Sequence, residues 1–131
     1  MQGVTSYSLA AATSTGGVFG KPAGRVGDTP IIGIGTWADD EIAISCTGTG
    51  EYFIRATIAR DICARREFLK EPIQDAADHL IHKTLTDMGG DGGIVAIDEA
   101  GTPIFSFNTP GMYRGYVKGG TYNIEIFEAK P

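Results

Sequence analysis

The chain's 131 residues suit one domain with a real core but are few for a complete two-layer enzyme, so a partner segment is expected. Eleven basic residues against sixteen acidic ones leave a net charge of -5, which opposes electrostatic capture of nucleic acid or of an anionic membrane surface. The hydrophobic fraction of 42% is that of a globular protein, and no apolar run approaches the roughly 18 residues of a membrane span.

Met1 to Thr5 has neither the basic opening nor the apolar core of a secretory signal, so a cytoplasmic setting is expected. Ser6 to Thr13, with Tyr7, Leu9 and Ala11 alternating with small residues, predicts a short strand. Glycines and Pro22 between Gly16 and Gly27 force a loop. Ile31–Trp37 and Glu41–Cys46 are β-rich runs separated by Ala38-Asp39-Asp40, the pattern of an antiparallel hairpin. From Glu51 the period changes: Ile54, Ile58 and Ile62 recur every fourth residue with Phe53 and Cys63 beside them, predicting one amphipathic helix. A second helix follows Pro72, with Ile73, Ala76, Ala77, Leu80, Ile81, Thr84, Leu85 and Met88 on one face, and Gly89-Gly90 ending it. Ile94–Ile97, Pro103–Phe107 and Tyr122–Phe127 read as strands, the first two joined by Asp98-Glu99-Ala100-Gly101. Strands around a helical pair imply an antiparallel sheet with two helices on one face. Its other apolar face needs cover from a second sheet or a second copy.

Three groups of residues carry possible chemistry. Thr47-Gly48-Thr49-Gly50 precedes the first predicted helix, so its N–H groups suit a developing oxyanion. Equally, Thr47 and Thr49 could simply cap the helix while the glycines make the turn. Arg25 and Asp28 place a cation and an anion three residues apart in a glycine-bounded loop. They could take the α-carboxylate and α-ammonium of an amino-acid substrate, or form an exposed ion pair that fixes the loop. Thr15 could support a neighbouring nucleophile or bond its own turn. Cys46 and Cys63 lie in apolar surroundings at no zinc spacing and read as buried thiols. Asp39, Asp40 and Glu41 lack the spacing of a calcium loop, and the glycines match neither a phosphate loop nor a dinucleotide fingerprint; neither metal nor cofactor is expected. His79 and His82 receive no role, and Asn108 to Arg114 reads as a structural turn.

Ala10-Ala11-Ala12-Thr13-Ser14-Thr15-Gly16-Gly17, then Gly24-Arg25-Val26-Gly27-Asp28-Thr29-Pro30, then Cys46-Thr47-Gly48-Thr49-Gly50-Glu51, in this order, resemble the C-terminal (β) subunit of the isoaspartyl peptidase and plant-type L-asparaginase family. The resemblance implies one domain over 1–131 that forms half of an αββα N-terminal nucleophile hydrolase sandwich. It implies hydrolysis of L-asparagine or β-aspartyl dipeptides with release of aspartate, and assembly with a larger N-terminal (α) subunit in an (αβ)2 heterotetramer made by autoproteolysis. By the same resemblance Thr47, through its hydroxyl, and Gly48, through its N–H, hold the oxyanion, and Thr15 supports the nucleophile. Arg25 takes the α-carboxylate, and Asp28, with the Gly50 carbonyl, takes the α-amine.

The family's nucleophilic threonine opens the strand ahead of the first block and has no match here. Thr5 is the nearest substitute but would leave that strand about half its length, and its amine, the base of the mechanism, would be blocked by Met1 to Val4. The chain alone is therefore expected to be inactive. The alternatives are a catalytically dead aspartate-binding or assembly domain of the same fold, and a hydrolase resembling glycosylasparaginase.

Overall fold

A computed structural model describes residues 8–127. Thr5, Ser6 and Tyr7 lie outside the described residues. Four strands, β1 (Thr36–Ala38), β2 (Ile42–Gly48), β3 (Gly92–Asp98) and β4 (Pro103–Phe107), pair as an antiparallel meander in that order. The register sets Ile44 opposite Ala96 and Cys46 opposite Ile94. Alternation therefore sends Ile42, Ile44, Cys46, Ile94, Ala96 and Ile104 to one face, where all are buried. That face packs under α1 (Gly50–Ala56), α2 (Ile58–Leu69) and α3 (Ile73–Asp78), which contribute Phe53, Ile58, Ile62, Ala76 and Ala77 to the same core. α3 runs on into a π-helical stretch, His79–Leu85, that adds Leu80, Ile81 and Leu85.

The opposite face, with Ala43, Ser45, Val95, Ile97 and Phe105, is covered in part by residues 10–12 and by a hairpin of β5 (Arg114–Lys118) and β6 (Thr121–Glu125). Arg114 ties that hairpin down: its guanidinium lies over the Phe107 ring at 4.9 Å, donates to the carbonyls of Met112, Ile126 and Phe127, and pairs with Glu125.

Three expectations from the sequence need correction. No strand forms over the described part of Ser6 to Thr13. The segment lies across the face of the sheet instead of at its edge, and Thr13 is held through side chains: its hydroxyl donates to the Gly35 carbonyl at 3.1 Å and lies 2.8 Å from Ser45 Oγ. β1 starts at Thr36, not Ile31, because Ile31, Ile34 and Gly35 spend their N–H groups on turn bonds to Asp28 and Ile31 carbonyls.

The single predicted helix from Glu51 is two, broken at Thr57, whose φ of 48° is left-handed. Tertiary bonds repay the break, since Ala59 and Arg60, at the start of α2, donate to the carbonyls of Ile34 and Gly33 at 3.3 and 2.7 Å. A β-branched residue in the left-handed region is strained by roughly 1–2 kcal/mol, part of which glycine's larger entropy loss would return. Thr57→Gly should therefore stabilise the assembled protein by up to about 1 kcal/mol in urea unfolding. A loss of stability would mean that the threonine side chain outweighs its backbone strain.

β2 and β3 converge at Gly48 and Gly92, which face one another. A Cβ on Gly48, at φ 148°, would stand 2.7 Å from both the Gly92 Cα and Phe53 Cε2, so only glycine lets the strand end turn directly into α1.

Candidate active site

A cleft of about 520 Å³ opens where the N-terminal segment, the glycine-rich loop and the end of β2 meet. Thr15, Arg25, Asp28, Thr47 and Gly48, far apart in the sequence, all line it. Thr47 leaves the end of β2 exposed to the cleft, and its hydroxyl pairs with no other described residue. The capping reading does not hold for its neighbour: Thr49, the N-cap of α1, makes no side-chain cap and donates to Asp91 Oδ1 at 2.6 Å.

Asp28 is the buried charge of the site. It is 5% exposed, and its Oδ2 has no hydrogen-bond partner. Burial pushes its carboxyl above the usual carboxylate range, against the opposing pull of its own N–H, that of Thr29, and the nearby Arg25. An unpaired buried carboxylate oxygen is costly in isolation and well matched to an ammonium ligand. Gly50 does not line the cleft but backs it. A Cβ there would stand 2.6 Å from Asp28 Oδ1 and 3.2 Å from Arg25 Nη2, so the glycine lets both charged groups pack against the start of α1.

The alternative reading of Arg25 and Asp28 as an ion pair does not hold: no such pair forms among the described residues. Arg25 instead forks onto Glu51, with Nε donating to Oε1 and Nη2 to Oε2, both at 2.8 Å. The hydrogen bond from Arg25 holds the Glu51 carboxyl below its ordinary range, and Glu51 raises the Arg25 pKa in return. Sequence reasoning missed Glu51 as a site residue. The available signal was its place directly after Gly50, which sets it in the first turn of α1 within reach of Arg25.

Thr15 lines the cleft, and its hydroxyl accepts the Gly17 N–H at 2.9 Å, the local turn bond open to any threonine there. Behind it, Thr13, Thr36 and Ser45 form a hydroxyl cluster that pins the N-terminal segment to the sheet. Cys46 touches the cleft as a buried thiol whose pKa burial raises, and Cys63 is pushed up to about 12, so both are protonated at neutral pH. Asp39 spends its carboxylate on the Trp37 indole and on the N–H groups of Glu41 and Ile42, closing the β1–β2 turn. His82 faces Asp78 at 3.8 Å, outside the cleft.

A family model described as asparaginase matches residues 5–126. The chain belongs to the asparaginase family. Its relatives in this family include the isoaspartyl peptidases of Escherichia coli (strain K12), 46% identical over 94% of this chain and 39% of that protein, and of Salmonella typhimurium, 46% identical over 86% and 36%. A plant-type L-asparaginase of Pyrobaculum calidifontis is 38% identical over 91% of this chain and 40% of its own length. The chain thus spans between 36% and 40% of these relatives. The antiparallel sheet with helices on one face is the architecture expected of one half of the family's sandwich. No described helix is long and apolar enough to cross a membrane.

Proposed function

We propose that the protein of which this asparaginase-family chain forms part is an amidohydrolase acting on L-asparagine and β-aspartyl dipeptides and releasing L-aspartate. The observation that carries the reading is the unpartnered, buried Asp28 Oδ2 beside Arg25, in the same cleft as Thr47 and Gly48. One end of that cleft suits the ammonium and carboxylate of an aspartyl group. The other offers a hydroxyl and a backbone N–H to a carbonyl oxygen as it gains charge.

In this mechanism an N-terminal threonine supplied from outside the 131 residues attacks the side-chain carbonyl, its own α-amine accepting the hydroxyl proton. Thr47 and Gly48 hold the oxyanion of the tetrahedral intermediate. Collapse expels ammonia or the dipeptide's amine, which leaves with the proton. Water then hydrolyses the acyl-enzyme and frees aspartate. Thr15 steadies the nucleophile, and the Gly50 carbonyl assists Asp28 at the α-amine. A larger N-terminal segment supplies the remaining wall and covers the open face around Val95 and Ile97, in an (αβ)2 assembly within the cytoplasm.

Expressing the full-length protein and measuring aspartate release from L-asparagine and from β-aspartyl-leucine tests the reading. Release by the assembled protein and none by the isolated 131 residues is the expected result. An assembled protein that binds aspartate in calorimetry yet releases none from either substrate would favour the binding-only reading. Hydrolysis by the isolated chain would overturn the assignment of the nucleophile.

A further inference from the structure

Arg25 and Asp28 present a local problem that their proposed roles do not solve. Arg25 Nη2 and Asp28 Oδ1 both lie within 3.2 Å of the point where a Gly50 Cβ would stand, and Asp28 Oδ2 is buried without a partner. A mobile guanidinium beside an unpaired buried carboxylate should swing onto it, because pairing relieves the desolvated charge. Such a pair would neutralise the two groups needed for an ammonium and a carboxylate. It does not form here. The guanidinium is instead chelated along its Nε–Nη2 edge by Glu51, with two bonds of 2.8 Å. Glu51 is well placed as a restraint: it sits in the first turn of α1, whose neighbouring Phe53 is fully buried, so its backbone is fixed to the core. The Arg25 side chain is only 13% exposed whereas that of Glu51 is 55% exposed, so the glutamate approaches from the solvent side.

From this geometry we infer that Glu51 is a positioning residue that holds Arg25 off Asp28, keeping cation and anion apart so that each takes one end of an α-amino acid. Glu51 touches no substrate. It takes the Nε–Nη2 edge of the guanidinium and leaves Nη1, which lies by Gly27, and the second N–H of Nη2 for an α-carboxylate. A zwitterionic aspartyl ligand thus completes a row of five charges, Glu51, Arg25, ligand carboxylate, ligand ammonium and Asp28, in alternating sign. The inference rests on the proposed substrate reading, since it presupposes that Arg25 and Asp28 bind the ligand's two charges.

Glu51→Gln and Glu51→Ala, with Arg25→Ala and the Arg25→Ala/Glu51→Gln double variant, test it in the full-length assembled protein. Glu51 is exposed, so folding should survive its substitution, and thermal unfolding checks this. The expected result is a KM for L-asparagine raised roughly tenfold or more by either Glu51 change with kcat within about twofold, as lost ground-state positioning predicts. In the Arg25→Ala background the Glu51→Gln change should then do nothing further, because the group it positions is gone. With L-asparaginamide, which lacks the α-carboxylate, Glu51→Gln should leave the weak hydrolysis unchanged. Arg25→Ala impaired with Glu51→Gln at wild-type KM would overturn the restraint and leave the substrate reading standing. Arg25→Ala at wild-type KM would overturn that reading itself. Additive effects of the two changes, or equal losses with the amide, would reduce Glu51 to a structural residue.

Discussion

Asp28→Asn in the assembled protein should lower kcat/KM for L-asparagine by roughly three orders of magnitude while making the fold more stable at neutral pH. The loss follows from removing one partner of a buried charge pair, which costs about 2–5 kcal/mol when the other charge has no replacement. It should fall mainly on KM, because an α-ammonium is bound alike in ground and transition states. The gain in stability has the opposite origin. Asp28 is buried with one oxygen unpartnered, and its carboxyl is raised above the ordinary range chiefly by desolvation. A carboxyl whose folded pKa is raised binds more protons in the folded than in the unfolded state between the two values. Stability therefore falls as pH climbs through that window, and the ionised group weighs against folding above it. An amide carries no such charge. Unfolding midpoints measured across pH should show Asn above the native residue at neutral pH, with the gap closing as acid protonates Asp28. A variant that loses both activity and stability at neutral pH would mean that Arg25 already compensates the buried carboxylate.

A site that costs stability in this way is hard to read from local sequence preference, and the pattern of what was legible reflects it. The β2–β3–β4 meander could be read directly: Glu41–Cys46, Ile94–Ile97 and Pro103–Phe107 alternate or run apolar between clear turn residues, and each strand lies within two residues of its expected bounds. The helical layer was legible in composition but not in continuity. Ile54, Ile58 and Ile62 keep a four-residue rhythm straight through Thr57, and nothing local marks that residue as left-handed. Only the carbonyls of Gly33 and Ile34, more than twenty residues earlier, make a break there favourable. The first predicted strand failed for a related reason. Alternation at Leu9 and Ala11 shows that one side is apolar, which a segment lying flat on a sheet needs as much as a paired strand does.

At the site, the residue types were legible and the pairing was not. Arg25 and Asp28 sit three apart, so proximity in sequence suggests an ion pair, yet the partner of Arg25 is Glu51, twenty-six residues away. Sequence shows which charges a loop carries. Which of them stays unpaired depends on the core holding α1, and here one oxygen of the Asp28 carboxylate is left without a partner.

Thr47→Val should lower kcat for L-asparagine by a factor on the order of 10²–10³ with KM nearly unchanged, as loss of one oxyanion donor predicts. Valine keeps the shape and β-branching that suit the end of β2, so the strand, paired there with Gly93, should form as before. The residue is exposed to the cleft, which removes any packing loss from the result. Thr47→Ser keeps the hydroxyl and should retain most of the rate, separating the donor from the methyl group. The KM-against-kcat split tests the roles proposed for the two ends of the cleft: Asp28 and Arg25 on the bound zwitterion, Thr47 on charge that exists only once the carbonyl is attacked. A Thr47→Val protein that keeps its kcat but binds substrate poorly would place Thr47 with the binding residues and leave the oxyanion to Gly48 and groups from the larger segment.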